Sequence, residues 1–118
     1  MLSENIRIGY LGEHAAAVYL RKNGYTILSG NFKSKTGEID IVAEKDSTVC
    51  FEEIKTRKEG TMFPPSEAVD KKKQENIKNT AAFYMLSSKL ELDMRFDIIE
   101  VVVKDNDECS ITHLINAF

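Results

Sequence analysis

The stretch from residue 95 to 104 constrains this chain most. Phe96, Ile98, Ile99, Val101, Val102 and Val103 leave almost no polar position on either side of an extended backbone. Strand side chains alternate between faces, so a strand that is apolar on both is expected to be covered on both. The chain then has to supply one layer above a central strand and one below. With 118 residues, 42% of them apolar, it is long enough for one packed domain spanning residues 1–118 and too short for a second independent core.

Two amphipathic stretches are available as covers. Residues 4–22 read as a helix with a stripe of Ile6, Gly9, Glu13, Ala16, Ala17 and Leu20, stopped at Gly24. Residues 66–88 read as a second helix, with Ser66 as N-cap after Pro64 and Pro65, and Val69, Ile77, Ala81, Tyr84 and Met85 on its apolar face. Between them, residues 25–28 read as a strand entering a turn at Ser29, Gly30 and Asn31. Residues 37–44 and 48–56 read as two strands of a hairpin turning at Lys45, Asp46 and Ser47. Residues 110–117 read as a last short strand. The order is α-β-β-β-α-β-β, an α/β protein with its sheet flanked by helices.

Sixteen basic against nineteen acidic side chains give a net charge of -3, which excludes a strongly basic, histone-like binder. The surplus is local. Residues 90–118 hold two basic and seven acidic groups, while the first 89 residues are slightly positive. A polyanion can therefore approach away from the C-terminal end. No apolar run reaches the ~18–20 residues of a membrane span, and the first residues lack a signal-peptide h-region, so no membrane partner and a cytoplasmic location are expected. Cys50 and Cys109 lack metal-ligand spacing and read as two buried free thiols.

The residues that carry chemistry are acidic. In Phe51-Glu52-Glu53-Ile54-Lys55-Thr56-Arg57, strand alternation puts Phe51, Glu53, Lys55 and Arg57 on one face and Cys50, Glu52, Ile54 and Thr56 on the other. An isolated pair such as Glu53 and Lys55 is ordinarily a solvated salt bridge. The preceding strand, Gly37-Glu38-Ile39-Asp40-Ile41-Val42-Ala43, changes that reading. In a hairpin about residues 45–47, Asp40 and Glu53 stand at nearly the same depth from the turn. Two facing carboxylates repel unless a cation separates them. Mg²⁺ suits such a site, since it takes a few carboxylates and leaves water and phosphate to complete its shell; Lys55 or Arg57 neutralising the pair is the plainer alternative. Glu13 is the third acid. A charge on an apolar helix stripe is costly without a partner, and Gly9, Gly12, Ala15, Ala16 and Ala17 let this helix lie close to the sheet. Glu13 either extends the cation site or reaches water from the stripe's edge.

The order Glu, Asp, Glu-x-Lys across α-β-β-β-α-β resembles the PD-(D/E)XK nuclease superfamily. Within it the chain is similar to the YraN family, small bacterial proteins described as predicted, Holliday-junction-resolvase-like endonucleases. The likeness runs over nearly the whole chain: Gly12-Glu13 with Ala16 and Leu20, Asn31-Phe32, Gly37-Glu38-Ile39-Asp40, the strand from Phe51 to Arg57, Ala68-Val69, Lys73-Gln74, Ala81, Arg95-Phe96-Asp97 and Ile115-Asn116-Ala117-Phe118. Glu52 departs from it, standing where an apolar residue is usual. Lys78 departs from the Gln-x-x-x-Tyr pattern of the exonuclease branches, four residues after Gln74.

The resemblance implies a restriction-endonuclease-like αβββαβ core with a mixed sheet, and metal-dependent phosphodiester hydrolysis, an endonuclease on DNA with branched DNA among its substrates. It implies Mg²⁺ or Mn²⁺ on Asp40, Glu53 and the Ile54 carbonyl, with Glu13 supporting a second metal or the outer shell. Lys55 would orient a water or stabilise charge on the phosphate. Lys73 and Gln74 would contact phosphate, and Lys33, Lys35, Arg57, Lys58, Lys71 and Lys72 are further candidates for tracking a nucleic-acid backbone. A non-catalytic nucleic-acid-binding module with the same fold is the main alternative, and a protein-interaction domain using the acidic C-terminal end a weaker one. A homodimer is left open. His14 and His113 share no ligand spacing for zinc, and neither a phosphate-binding glycine loop nor a nucleophile elbow is present.

Overall fold

A computed structural model describes residues 3–63 and 68–118. Helix α1 (Glu4–Lys22) begins at Ser3, whose hydroxyl caps the Ile6 N–H at 3.2 Å. It leads into β1 (Thr26–Ser34), β2 (Gly37–Lys45) and β3 (Thr48–Lys58). Helix α2 (Lys71–Ser87), β4 (Asp93–Val103) and β5 (Cys109–Leu114) follow. The five strands form one mixed sheet in sequence order, with β3 and β4 parallel and every other neighbouring pair antiparallel. The parallel pair follows from the intervening helix, because a parallel return needs a long crossover. The β2–β3 turn is Asp46-Ser47, both residues at positive φ, the backbone that matches strand twist in a two-residue hairpin.

Each face of the sheet has its own core. On one, α1 lays Ile8, Ala16 and Leu20 over Ile41, Ala43, Cys50, Ile54, Ile99, Val101 and Val103. On the other, α2 packs Ile77, Ala81, Tyr84 and Met85 over Ile39, Val42, Val49 and Phe51. Phe32, Phe96 and Phe118 close around this second core, with Phe51 and Phe96 stacked at 5.5 Å between ring centroids. No described helix is long and apolar enough to cross a membrane.

Several expectations need correction. The buried ridge of α1 is Ile8, Gly12, Ala16 and Leu20, and Ile6 is half exposed. The reason is Gly12, which faces Thr56 so closely that a Cβ there would stand 2.8 Å from the Thr56 Cβ. The ridge is aligned on the one residue that permits this approach. Strand β1 does not turn at Ser29-Gly30-Asn31. It runs through a register shift between Ile27 and Ser29 and takes Asn31 at φ 51°, then turns at Lys35-Thr36. Helix α2 starts at Lys71, where the Asp70 carboxylate caps the Lys73 N–H at 2.8 Å. The expected cap, Ser66, lies outside the described residues, as do Pro64 and Pro65. Strand β4 is fully covered only on the α1 face. On its other face Ile98 and Val102 are half-buried, because α2 sits over β1 and β2. Both cysteines are free, but Cys109 is partly exposed.

The α1 face also holds charge. Asp97 and Glu52 have no exposed surface. His113 Nε2 stands 2.9 Å from Glu52 Oε1 and 3.0 Å from Asp97 Oδ2. Arg95 donates to both Asp97 oxygens and to the Tyr25 hydroxyl, the Asn116 N–H donates to Asp97, and Tyr19 meets His113 Nδ1 at 3.0 Å. Two cations and two acids thus interlock, as a buried charge group must. Burial alone would raise the Asp97 carboxyl, but hydrogen bonds from His113 and Arg95 hold it well below the usual range. Burial likewise opposes protonation of His113, and its bonds to Asp97 and Glu52 outweigh that and lift it to about 9. Glu52 keeps one oxygen, Oε2, without a partner.

Candidate metal centre

The two acid-bearing strands part where the acids stand. The β2–β3 ladder ends at the pair Ile41–Glu52. One residue beyond it, Asp40 and Glu53 fall opposite each other; Glu53 shares the face of Phe51, on the α2 side, and Asp40 stands where β2 changes face, between Ile39 in the α2 core and Ile41 in the α1 core. One further step would place Ile39 opposite Ile54, but that rung is replaced. Asp40 Oδ2 accepts the Ile54 N–H at 2.7 Å. A strand residue turns its N–H and C=O to the same side, so the Ile54 carbonyl also faces the gap between β2 and β3.

The parted strands open a cleft of about 950 Å³ at this end of the sheet. From α1 it is lined by Ile8, Gly9 and Glu13, from β2 by Glu38 and Asp40, and from β3 by Glu53, Ile54, Thr56 and Arg57. Lys58, Lys73 and Asn76 complete its basic and polar wall. The small residues of α1 have two separate roles. Gly12 sets the close approach that carries Glu13 to the rim, and Gly9 borders the open space of the cleft, where a Cβ would touch nothing within 4 Å.

Burial governs the charge state of the site. Glu53 is 5% exposed, and its Oε1 has no hydrogen-bond partner. Loss of water, and then the charge of Asp40, push the Glu53 carboxyl up to about 8. Burial lifts Asp40 to about 6 against the pull of the Ile54 N–H, with Glu13 and Glu38 adding repulsion. Glu13 is raised too, by burial first and Glu38 second. The Lys73 ammonium favours the charged form of both Asp40 and Glu53. Oxygen donors with raised proton affinity, one of them a buried oxygen without a hydrogen-bond partner, form a donor set suited to a hard divalent cation.

The structure brings Asp40, Glu53, Ile54 and Glu13 to one cleft, with Arg57, Lys58 and Lys73 on its wall. It does not bring Lys55 there. The Lys55 ammonium stands 3.6 Å from Glu100, its partner in the parallel ladder, and over the Phe63 ring. Gln74 also lies outside the lining and donates to the Val69 carbonyl. Lys33 pairs with Glu38 at 3.8 Å, and Lys35 is exposed at the β1–β2 turn. Two features escaped the sequence. Glu38 lines the cleft, and its place two residues before Asp40 on the same strand face was the available signal. The Glu52–His113–Asp97 cluster joins residues up to 61 apart in sequence, so no local spacing announces it.

The model of Uncharacterised protein family UPF0102 matches residues 12–101 of the chain. A UPF0102 protein of Syntrophomonas wolfei subsp. wolfei is 42% identical over 115 residues, covering 97% of this chain and 99% of that protein. One from Alkaliphilus oremlandii is 43% identical over 117 residues, with the same shares. A UPF0102 protein of Caldanaerobacter subterraneus subsp. tengcongensis is 44% identical over 114 residues, covering 94% and 93%. The chain belongs to this YraN-like family.

Proposed function

We propose that this UPF0102 chain is a metal-dependent nuclease that hydrolyses phosphodiester bonds, acting as an endonuclease on DNA. One observation carries the reading. Asp40 and Glu53 face each other past the end of a ladder, and a buried Glu53 oxygen lacks any partner in a cleft whose wall is partly basic. A structural pair of this kind would be closed by a cation of the protein, yet no described Lys, Arg or His stands within 4.0 Å of either carboxylate.

Asp40, Glu53 and the Ile54 carbonyl are the residues that would hold Mg²⁺ or Mn²⁺, with Glu13 joining from the rim. The metal would supply Lewis acidity toward the phosphate and an activated water. The chain's own groups do the rest. The bond to the Ile54 N–H fixes Asp40 Oδ2 and with it the direction of the other oxygen. Gly9 leaves room for a sugar-phosphate backbone at the α1 wall. Arg57 and Lys58 offer charge to flanking phosphates, although each is also engaged locally, Arg57 with the Thr61 carbonyl and Lys58 with Glu4 and Asp105.

The test is cleavage of labelled single-stranded, duplex, flap and four-way DNA with Mg²⁺, Mn²⁺ or EDTA, comparing the wild type with Asp40→Asn. Metal-dependent cleavage that Asp40→Asn loses by at least a hundredfold supports the reading. Binding without cleavage of any substrate overturns it in favour of a non-catalytic module.

A further inference from the structure

We propose that Lys73, on the first turn of α2, is the cation that contacts the reacting phosphate in the cleft, the place that resemblance gives to Lys55. The inference rests on the nuclease reading and goes beyond it in assigning a catalytic residue from a different element. Three observations carry it. Glu53 lies on the α2 side of the sheet, and α2 presents Lys73, Asn76 and Ile77, at i, i+3 and i+4 spacing, to the cleft that Glu53 shares with Asp40. Lys55 shares their strand face, but its ammonium is occupied by Glu100 and the Phe63 ring and is not in the lining. The third observation is the anchoring of α2. The Asp70 carboxylate holds the Lys73 N–H, and the Thr80 hydroxyl meets Ser34 at 3.1 Å and Thr36 at 2.8 Å, on the hairpin that carries Asp40.

The charge order of α2 agrees. Helix N-termini favour acids, because the backbone already presents positive charge there. This one opens with Lys71, Lys72 and Lys73 and has no acid in its first turn. Lys71 and Lys72 are exposed, and Lys73 is half-buried on the cleft wall. A cation placed against the helix dipole, on the wall of a cleft whose carboxylates would hold a divalent metal, is suited to an anion bound across cation and metal. In the reaction, water adds to phosphorus as the P–O bond to the leaving sugar oxygen breaks; the attacking water gives a proton to solvent and the leaving oxygen takes one from it. The Lys73 ammonium neutralises charge on a non-bridging oxygen and transfers no electrons.

The experiment compares Lys73→Ala, Lys73→Arg and Lys55→Ala. In the cleavage assay Lys73→Ala is expected to lose ~10²–10³ in rate, Lys73→Arg to recover part of it, and Lys55→Ala to lose distinctly less. The opposite ranking of Lys55→Ala and Lys73→Ala overturns the proposal while leaving the nuclease reading intact. One further readout needs no turnover. Amide shifts of the α2 first turn should follow titration with inorganic phosphate in Mg²⁺ for the wild type and not for Lys73→Ala. If the wild type cleaves nothing, the nuclease reading fails; phosphate-induced shifts in Lys73→Ala that match those of the wild type overturn the proposal on their own.

Discussion

Replacing Glu52 by glutamine isolates one buried proton. Glu52 has no exposed surface; burial, with the Asp97 carboxylate beside it, raises its carboxyl from 4.5 to about 8 against the pull of His113. Between pH 4.5 and 8 the folded chain therefore keeps a proton that the unfolded chain releases, and stability falls as pH rises through that window. At ~1.4 kcal/mol for each pH unit, the full excursion is about 5 kcal/mol as a ceiling, reached only above pH 8. Glutamine keeps the shape and a donor but cannot ionise. Glu52→Gln should match the wild type within ~1 kcal/mol at pH 5. By pH 8.5 it should be more stable by a few kcal/mol, ~1–4 being typical when a buried ionic group is replaced by a well-packed neutral one. Urea unfolding followed by circular dichroism from pH 5 to 9 measures both limbs. Parallel pH profiles for the two proteins would refute the assignment of a retained proton to Glu52.

Three more outcomes follow from the same geometry. Gly12→Ala places a Cβ into the Thr56 side chain and should cost ~1–3 kcal/mol by thermal or urea unfolding; an unchanged midpoint would mean that α1 does not lie as close as described. Mn²⁺ affinity should climb as pH rises from 6 to 8, because the metal competes with protons on Asp40 and Glu53, and calorimetry at pH 6, 7 and 8 checks this; a flat profile would place the metal on other ligands. His113→Ala leaves Glu52 and Asp97 without their shared donor and should destabilise the fold by ~3–5 kcal/mol near neutral pH, read in the same unfolding experiment.

The sheet and the acid pair were legible because both obey local rules. Alternation assigns faces over most of residues 37–44 and 48–56, and a short turn at residues 45–47 puts Asp40 and Glu53 at nearly the same depth; the two-residue turn at Asp46-Ser47 then sets them opposite each other. What lay beyond counting depended on tertiary contact. The α1 stripe was displaced because the Gly12–Thr56 approach sets the rotation of the helix, and helical periodicity alone does not know what a glycine faces. The turn expected at Ser29-Gly30-Asn31 is a bulged strand instead, since pairing with β2 overrides the local turn preference of those residues. Lys55 was placed by strand alternation on the correct face, yet its long side chain took the partner offered by β4, a strand 45 residues away in register. Likewise Glu52 was legible as facing away from Glu53, while its partners His113 and Asp97 come from strands that only the fold brings near.

The missing rung between β2 and β3 has a dynamic consequence. The Ile54 amide is not held by a peptide carbonyl of β2; a side-chain carboxylate holds it. Elsewhere in the central strands, amide hydrogen exchange waits on opening of the sheet. At Ile54 it waits only on Asp40, whose grip weakens when that carboxyl takes up a proton near pH 6. A single exchange rate at Ile54 thus reports the ionisation of the site from within the sheet, without any ligand or label.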